Sequence, residues 1–295
     1  MNKNLIRIKN DLSSFKKTYF WCLILVSLFG VYKNVFSLFN NEISLFAVLN
    51  KILFIVLGLG VGLLYDSFKE KRLTFNFNAI IGLIIGMIIP FRTNLFLFLL
   101  GLLLMILIDI IDKNNHLNKI CVAKLFIIML LVIFGEYTYL NPLEFSNEYA
   151  YTLADSFVGN QIGGTFSTSV LLIFVSFIIL SLNKIYKTKI VLISLISYLC
   201  TLSLLLLTKD YMKIFTIMQN SSNIFAFVFI APFSLYSPYK FKEVLFYSLL
   251  IGIGSALLSY FVILHEGAII AILLANIFLI IYNKIHKTTK NPEIS

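Results

Sequence analysis

Apolar runs long enough to cross a membrane follow one another along almost the whole chain, with short polar connections between them. The run 190–208, for example, contains no charged residue. A bilayer core about 30 Å thick needs about 20 apolar residues in a helix, and the backbone groups inside it must be bonded within that helix. A composition of 59% hydrophobic and 13% charged residues over 295 positions is equally unlike a soluble domain. The sequence therefore predicts an all-α integral membrane protein.

Hydropathy divides the chain into about ten transmembrane helices. We predict them near 18–39, 44–65, 78–90, 94–111, 121–140, 168–183, 190–208, 214–236, 243–264 and 267–283. Ten helices divide into five plus five, and because five is odd the second half is expected to be inverted relative to the first. The predicted organisation of this single membrane domain (1–295) is a basic N-terminal tail (1–17), a first five-helix half (18–140), a loop (141–167), a second five-helix half (168–283) and a C-terminal tail (284–295).

The basic residues lie mostly on one side of this predicted bundle. If the N-terminus is cytoplasmic, the cytoplasmic connections contain most of the Lys and Arg residues, and the other side keeps little beyond Arg92, Lys209 and Lys213. This asymmetry predicts cytoplasmic termini in the inner (cytoplasmic) membrane of a bacterial cell, and it accounts for the net charge of +10 without a nucleic-acid partner. The loop 141–167 then faces outward, and it contains three acidic residues but no Lys or Arg.

The third predicted helix of each half is short or interrupted. In the first half, AIIGLIIGMIIPFRTN offers only about thirteen residues before Pro90, roughly 20 Å of helix. In the second half, MQNSSNIFAFVFIAPFSLYSP is polar at its outer end and interrupted at Pro232. Broken spans at matching positions of two halves indicate a binding site between them. The alternative is that two prolines simply end ordinary helices and that the helix count is off by one.

Four segments resemble one known family, in the same order and over most of the chain. Residues 73–112 resemble its short glycine-bearing helix, Pro-containing turn and following long apolar helix. Residues 159–172, 231–238 and 266–277 resemble its segments Gly-Asn-x-Pro-Gly-Ser-x-Gly-Glu-Thr-Ser, Ala-Thr-Asp-Pro-Val-Thr-Ser-Pro and Pro-Glu-Gly-Val-x-Phe-Ala-Ile-Leu-Leu-Met-Asn. The matching residues are Gly159, Asn160, Gly163, Thr168, Ser169, Ala231, Ser237, Pro238, Glu266, Gly267, Ala271, Ile272, Leu273, Leu274 and Asn276. The family comprises the flavin-carrying membrane subunits of Rnf electron-transport complexes (the D subunit) and of the Na⁺-translocating NADH:quinone reductase (the B subunit).

The resemblance implies both a fold and a function. The family's fold is a ten-helix inverted repeat similar to that of urea channels, and its flavin region lies at the outer face. Cofactor-binding roles are thereby implied for Gly159, Asn160, Gly163, Thr168 and Ser169. The chain is expected to be a subunit of a membrane oxidoreductase complex that couples electron transfer to movement of Na⁺ or H⁺. Its partners would be other membrane and iron–sulfur or flavin subunits and the lipid bilayer, with no catalytic side chain and no metal site of its own.

The attachment of the flavin is where the sequence departs from the family. The family binds FMN through a phosphoester on the threonine of a Ser-Gly-Ala-Thr sequence. The corresponding loop, LNPLEFSNEYAYTLADSFVGN, contains no such sequence, and its only threonine is Thr152. Three possibilities follow: FMN attached to Thr152, flavin bound without a covalent link, or the fold retained without redox work.

Two non-redox functions fit the same predicted fold. A solute channel would have a continuous polar path, lined by residues such as Asn78, Ser222 and Asn223. A scaffold subunit would instead fill the crevice between its halves with its own Phe and Leu side chains.

A few charged residues in or near the apolar runs have simple expected positions. Lys51 and Lys124 are expected close enough to the membrane surface for their ammonium groups to reach it. Asp109 is expected at the cytoplasmic interface or, alternatively, on an ion path. Glu266 suits the N-terminus of the last helix, and His265 has no second ligand at metal spacing.

Overall fold

The computed structural model describes residues 3–39, 44–72, 74–112, 117–135, 137, 153–159, 163–218, 220–262 and 265–289. Within these ranges all regular structure is helical. The helices are α1 (Lys3–Phe39), α2 (Leu45–Glu70), α3 (Phe77–Ile88), α4 (Leu95–Ile111), α5 (Lys119–Ile133), α6 (Leu153–Val158), α7 (Val170–Ser181), α8 (Thr188–Leu205), α9 (Tyr211–Met218), α10 (Ser221–Phe225), α11 (Phe241–Phe261) and α12 (Gly267–Thr289). A 3₁₀ turn, Leu206–Thr208, follows α8, and a π-turn, Ala226–Ile230, directly continues α10.

Several of these helices are long and apolar enough to cross a membrane. Five segments of the described chain meet both conditions: Asp11–Phe36, Leu45–Glu70, Thr188–Thr208, Phe241–Phe261 and Gly267–Ile285. Three further apolar helices, α3, α4 and α7, are shorter. The predicted helical membrane protein is confirmed, whereas the count of ten spans stays a prediction.

Large apolar side chains cover the outside of the bundle. Leu64, Phe68, Leu182 and Leu207 are 72–85% exposed. Contiguous apolar surface of this kind is rare on soluble monomers but suits contact with lipid chains. Polar and charged side chains, by contrast, are found among the fully buried residues, so the interior is where specific chemistry can occur.

Small residues bring the helices close together. A methyl group added at Gly58 of α2 or Gly82 of α3 would overlap the backbone carbonyl of the other glycine. Gly252 of α11 is similarly close to Ser194 and Ser197 of α8. Because lipid is as apolar as a leucine side chain, membrane helices associate through such close packing rather than through hydrophobic burial.

The helix α3 and the segment formed by α10 and its π-turn are short and run in opposite directions. The ring of Phe77, the first residue of α3, packs 5.5 Å from the ring of Phe233, which follows the π-turn. Residues 163–164 contact Ser221 at the start of α10 and Ile88 at the end of α3. The start of α3 therefore lies near the end of the α10 and π-turn segment, and residues 163–164 link the other two ends.

Asparagine caps and prolines set the limits of these two helices. The side chain of Asn76 accepts a hydrogen bond from the first backbone N–H of α3 at 2.9 Å, and that of Asn220 accepts one from the second N–H of α10 at 3.0 Å. The helix α3 stops before Pro90, and the π-turn stops before Pro232. A short helical segment therefore ends before each of these two prolines, as predicted, whereas their places as third helices of two halves stay a prediction.

The two ends of the bundle differ in charge. Lys16, Lys69 and Lys119 lie at the end where α3 begins, and we call this the basic end. The other end, which contains the turn between α3 and α4 and the start of α10, is called the opposite end. The two predicted halves are packed differently. In the first, α2 lies mainly along α3, whereas in the second, α8 lies mainly along α11.

Candidate functional site

Residues 163–169, called the capping segment, are buried at the opposite end and complete the end of α3. Thr165 donates to the carbonyl of Ile89 through both its backbone N–H (3.2 Å) and its hydroxyl (2.9 Å). The N–H of Phe166 donates to the carbonyl of Met87 at 3.0 Å. The last carbonyls of a helix have no partner within it, so the capping segment satisfies groups that would otherwise be unbonded inside the membrane.

Two glycines allow the capping segment to lie this close to its neighbours. A methyl group on Gly163 would lie 2.8 Å from the Ser221 hydroxyl, and one on Gly164 would lie 2.9 Å from the Cα of Ile88. Real Cβ atoms do not approach other atoms so closely, and glycine is the residue that permits such contact. The glycines therefore allow close approach between parts of the same chain, and the flavin-binding role predicted for Gly163 stays a prediction.

Three serine hydroxyls around the capping segment are buried without a hydrogen-bond partner in the described part of the protein. Ser167, Ser221 and Ser222 are 1%, 0% and 6% exposed, and the Oγ atom of each lacks a donor or acceptor. Leaving a buried hydroxyl unbonded costs about 1–3 kcal/mol. Such groups are rare in native proteins and indicate a ligand or solvent molecule that bonds to them.

The residues assigned to flavin binding fall into two groups. Gly159, Gly163, Thr168 and Ser169 are described, whereas Asn160 and Thr152 lie outside the described residues. Gly159 has φ +115° and a methyl group there would lie 2.7 Å from the Cα of Ser169, so these two residues are brought together. Ser169 also caps α7, since its Oγ accepts from the N–H of Leu172 at 3.4 Å.

A buried lysine lies beside the turn that the capping segment contacts. Lys51 of α2 is 4% exposed, and its ammonium group donates to the carbonyl of Thr93 at 2.9 Å. The same nitrogen lies 4.7 and 5.1 Å from the ring centres of Phe54 and Phe91. The expectation that this side chain reaches the membrane surface was wrong, because its nitrogen points into the turn between α3 and α4.

A second buried lysine lies on α1 at the same end. Lys33 is 7% exposed and directly precedes Asn34. The amide of Asn34 donates to the carbonyl of Thr165 at 3.3 Å, which connects α1 to the capping segment. Sequence reasoning placed no cation here, although a lysine inside an apolar run was a signal for one.

The basic end contains a connected group of polar side chains. Asp109 is 5% exposed and accepts hydrogen bonds from Lys119, from Tyr65 at 2.9 Å and from Lys69 at 2.9 Å. Asp109 is therefore bonded within the protein rather than solvated at an interface. Lys119 also reaches the amide oxygen of Asn78 at 3.5 Å, so the group extends to the first turn of α3.

Asp66 completes this group from α2. Its carboxylate accepts from the side-chain amide of Asn78 at 2.8 Å and from the backbone N–H of Ala79 at 3.2 Å. A carboxylate beside the N-terminus of a helix is stabilised by the unpaired N–H groups there. Asp66 therefore fixes the start of α3.

A second buried ion pair joins α5 to the start of α12. The ammonium group of Lys124 lies 2.8 Å from the carboxylate of Glu266, and the two side chains are 1% and 0% exposed. Neither side chain reaches the membrane surface, and for Lys124 this contradicts the expectation from the sequence. His265 is next to the pair; burial, with a smaller repulsion from Lys124, lowers the pKa of His265 to about 4.

The residues suggested for a solute path do not form a continuous line within the described structure. Asn78 is at the basic end, whereas Asn223 is at the opposite end and bonds to Tyr198 (3.2 Å) and Ser259 (3.0 Å). Between the two ends, α3 presents only buried apolar residues and glycines from 79 to 88. Among the described residues, no group of three or more His, Cys, Asp and Glu side chains could hold a metal ion.

Comparison with known families identifies the chain over nearly its whole length. The sequence model described as the NQR2, RnfD, RnfE family matches residues 2–290. No curated protein matches the chain.

Proposed function

Because the chain belongs to the NQR2, RnfD, RnfE family, we propose that it holds flavin, as FMN, near the outer face of an Rnf- or Nqr-like electron-transport complex. Family membership makes the chain a membrane subunit of an ion-translocating complex. The identity of its partner subunits and the binding of flavin are parts of the proposal.

The observation that carries the flavin proposal is the group of buried hydroxyls without partners. Ser167, Ser221 and Ser222 meet at the capping segment, where the family resemblance implies the flavin region. FMN offers hydrogen-bond acceptors in its phosphate and ring carbonyls, and its ribityl chain offers both donors and acceptors. A bound flavin would therefore satisfy hydroxyls that the described protein leaves unbonded.

Buried lysines supply the charge that an FMN phosphate needs. The predicted outer loop is acidic and would repel a phosphate. Lys51 and Lys33 lie at the same end of the bundle as the three hydroxyls and are 4% and 7% exposed. A phosphate bound beside them would favour their charged forms, because an isolated charge is costly in a region of low dielectric.

Packing limits how a flavin can lie at this site. Gly163 and Gly164 already contact Ser221 and Ile88, which leaves no room for an isoalloxazine ring between them. The residues present fit the phosphate or the hydrogen-bonding edge of a flavin, with the ring outside the capping segment. When bound, the flavin supplies one- and two-electron transfer; the chain's own residues bind its polar groups, and the fully buried Phe166 excludes water beside them.

An inverted repeat with cytoplasmic termini belongs to the same proposal. The antiparallel α3 and α10 support it, since each starts with an asparagine cap. Each also carries a second asparagine near its start, and the amide oxygen of that residue accepts a hydrogen bond from the first two residues of a later helix. For Asn78 the donor is Lys119 of α5 at 3.5 Å, and for Asn223 it is the N–H of Ala268 of α12 at 3.1 Å.

The absorption and fluorescence spectrum of the detergent-purified protein tests the flavin proposal. We expect flavin to copurify with the wild-type chain, and to be lost at least tenfold more readily from Ser222→Ala. Ser203→Ala, an exposed serine of α8, is the matched control and should retain flavin. A colourless protein, purified with its partners and with flavin supplied, would contradict the proposal and leave the solute channel or the scaffold.

Denaturation then distinguishes the two ways of holding flavin. Flavin fluorescence that stays with the denatured chain on a gel, and disappears in Thr152→Ala, would show attachment to Thr152. Flavin released by denaturation would show that the buried hydroxyls and lysines hold it without a covalent link.

A further inference from the structure

The ion pair between Lys124 and Glu266 is buried inside the bundle. Lys124 is in the second turn of α5, and Glu266 directly precedes α12. The two charged atoms are 2.8 Å apart, and the side chains are 1% and 0% exposed. The pair therefore joins two helices that are far apart in the chain.

The pair stands between the polar groups of the two ends. On one side, Lys119 lies five residues earlier on α5, about 7.5 Å along the helix axis, and binds Asp109. Asp109 in turn binds Lys69, whose side chain is 58% exposed. On the other side, Ala268 donates its N–H to Asn223, which neighbours two of the unpartnered serines. Polar groups therefore lie on both sides of the pair, with Lys119 toward the basic end and Asn223 toward the opposite end.

Stability does not explain the pair. Removing two charges from water costs several kcal/mol per ion, and replacing a buried ion pair with apolar side chains is often neutral or stabilising. Close packing through glycine and serine already joins the helices of this bundle. Ionisable residues inside membranes mark ion and proton pathways by default.

Within the described residues, two titratable side chains interact electrostatically with the pair. These are Cys121 of α5 and His265, and Tyr247 of α11 lies next to Cys121. The neutral form of His265 persists well below neutral pH, so His265 adds no charge beside Lys124.

We propose that Lys124 and Glu266 exchange a proton as part of ion translocation by this subunit. An N–H bond of the Lys124 ammonium breaks and an O–H bond forms on the Glu266 carboxylate, so the ion pair becomes a neutral amine and a carboxylic acid. No net charge is created. Both forms avoid an isolated charge in the interior. The inference rests on the proposed ion-translocating function.

A cation approaching along the basic end would shift this equilibrium. Lys119 and Lys124 are five residues apart on the same helix, so positive charge bound near Lys119 lies about 7.5 Å along the axis from Lys124. It repels the Lys124 ammonium and favours transfer of its proton to Glu266. Arrival of an ion at the basic end would thereby change the protonation state of Glu266. This residue directly precedes α12, the helix that contacts Asn223 at the opposite end.

Infrared difference spectroscopy of the purified protein tests the proton exchange without requiring electron transfer. We expect a carboxylic-acid C=O band that changes as pH or Na⁺ concentration is varied and that is absent in Glu266→Gln. If no such band distinguishes the wild-type protein from Glu266→Gln at any pH between 5 and 9, the proposal is overturned.

Coupling is tested in the complete complex reconstituted in liposomes. The double variant Lys124→Met with Glu266→Gln leaves no unpaired charge, so it should fold where the single variants fail. We expect it to retain electron transfer within about twofold while ion uptake falls more than tenfold. The double variant Lys240→Met with Glu243→Gln, which removes a pair with an 80% exposed lysine, is the control and should change neither rate.

These readouts separate the two proposals. Unchanged ion uptake in the Lys124 and Glu266 double variant would show a purely structural pair and contradict proton exchange. A wild-type complex that transfers no electrons would contradict the proposed redox function, while the infrared band would still decide whether Glu266 accepts a proton.

Discussion

At the scale of single residues, His265 should make the protein sensitive to acid. Burial lowers its pKa to about 4 from an ordinary value of 6.5, so the folded state binds the proton less well than the unfolded state. Its contribution to stability is complete above pH 6.5 and is lost as the pH falls toward 4. We expect the free energy of unfolding to fall by about 2 kcal/mol between pH 7 and pH 5.

Thermal unfolding in detergent at the two pH values measures this effect. The variant His265→Gln should lose much less stability on acidification than the wild type. An equal loss in both proteins would assign the acid sensitivity to another group.

Gly164 should tolerate no side chain. A methyl group there would lie 2.5 Å from the Ser167 hydroxyl and 2.9 Å from the Cα of Ile88. We expect Gly164→Ala to destabilise the protein by about 1–3 kcal/mol, the usual range for overpacking. Its matched control is Gly60→Ala, since a methyl group at Gly60 would have no atom within 4 Å. Gly60→Ala should be neutral or slightly stabilising, because alanine favours the helix.

Sequence reasoning succeeded at residues whose role is local and failed at those defined by a distant partner. Glu266 was expected at the N-terminus of the last helix, and it directly precedes α12. Lys124 was misplaced because its partner, Glu266, is far away in the chain. Lys51 was misplaced because the turn that receives its ammonium group forms only when α2 packs against α3 and α4.

At the scale of helices, the start of α3 depends on Asp66. The carboxylate satisfies the buried amide of Asn78 and the N–H of Ala79. We expect Asp66→Ala to cost about 2–4 kcal/mol, since it leaves two buried donors without an acceptor. Chemical or thermal unfolding of the purified protein measures the loss.

An acidic residue on the same helix serves as the control. Glu70 is exposed, contacts Arg72 at 3.6 Å and accepts a hydrogen bond from the side-chain amide of Asn76 at 2.9 Å. Both contacts are exposed, so Glu70→Ala should lower the free energy of unfolding by about 0.5–1 kcal/mol, less than Asp66→Ala. If the two variants were equally stable, Asp66 would not be what fixes α3.

The breaks in the third helices were predictable, but their details were not. Prolines identified where α3 and the π-turn stop, because a proline ring excludes the preceding helical hydrogen bond. The predicted span 214–236 is divided instead into α9 and α10, since Asn220 caps a new helix. The π-turn after Phe225 had no signal in the sequence, and its Phe227 and Phe229 are fully buried in the core.

At the scale of the whole molecule, the charge asymmetry predicts which end faces the cytoplasm. Arg72 is at the basic end with a 72% exposed side chain, and Arg92 is an exposed residue of the turn at the opposite end. In a background without the three native cysteines, Arg92→Cys should react with a membrane-impermeant thiol reagent in cells with a permeabilised outer envelope. Arg72→Cys should react only after the cytoplasmic membrane is opened. The reverse pattern would contradict the predicted orientation.

The helical membrane architecture followed from hydropathy for two reasons. The bilayer requires spans of similar length, and it requires the backbone N–H and C=O groups of each span to be hydrogen-bonded within one helix. The buried charges could not be placed in the same way, since an ionisable residue in an apolar run is compatible with snorkelling, pairing or a ligand site. Only the three-dimensional neighbours of Asp109, Lys119 and Glu266 distinguish these outcomes.

The capping segment has a consequence for the order of biogenesis. It takes its contacts from α1 and α3, which the ribosome makes early, and from Ser221 and Ser222, which are made late. A nascent chain inserted only as far as the capping segment therefore has Ser167 and the end of α3 in place but lacks Ser221 and Ser222. A ligand bound through all three hydroxyls, as proposed for FMN, could then be loaded only after α10 has entered the membrane.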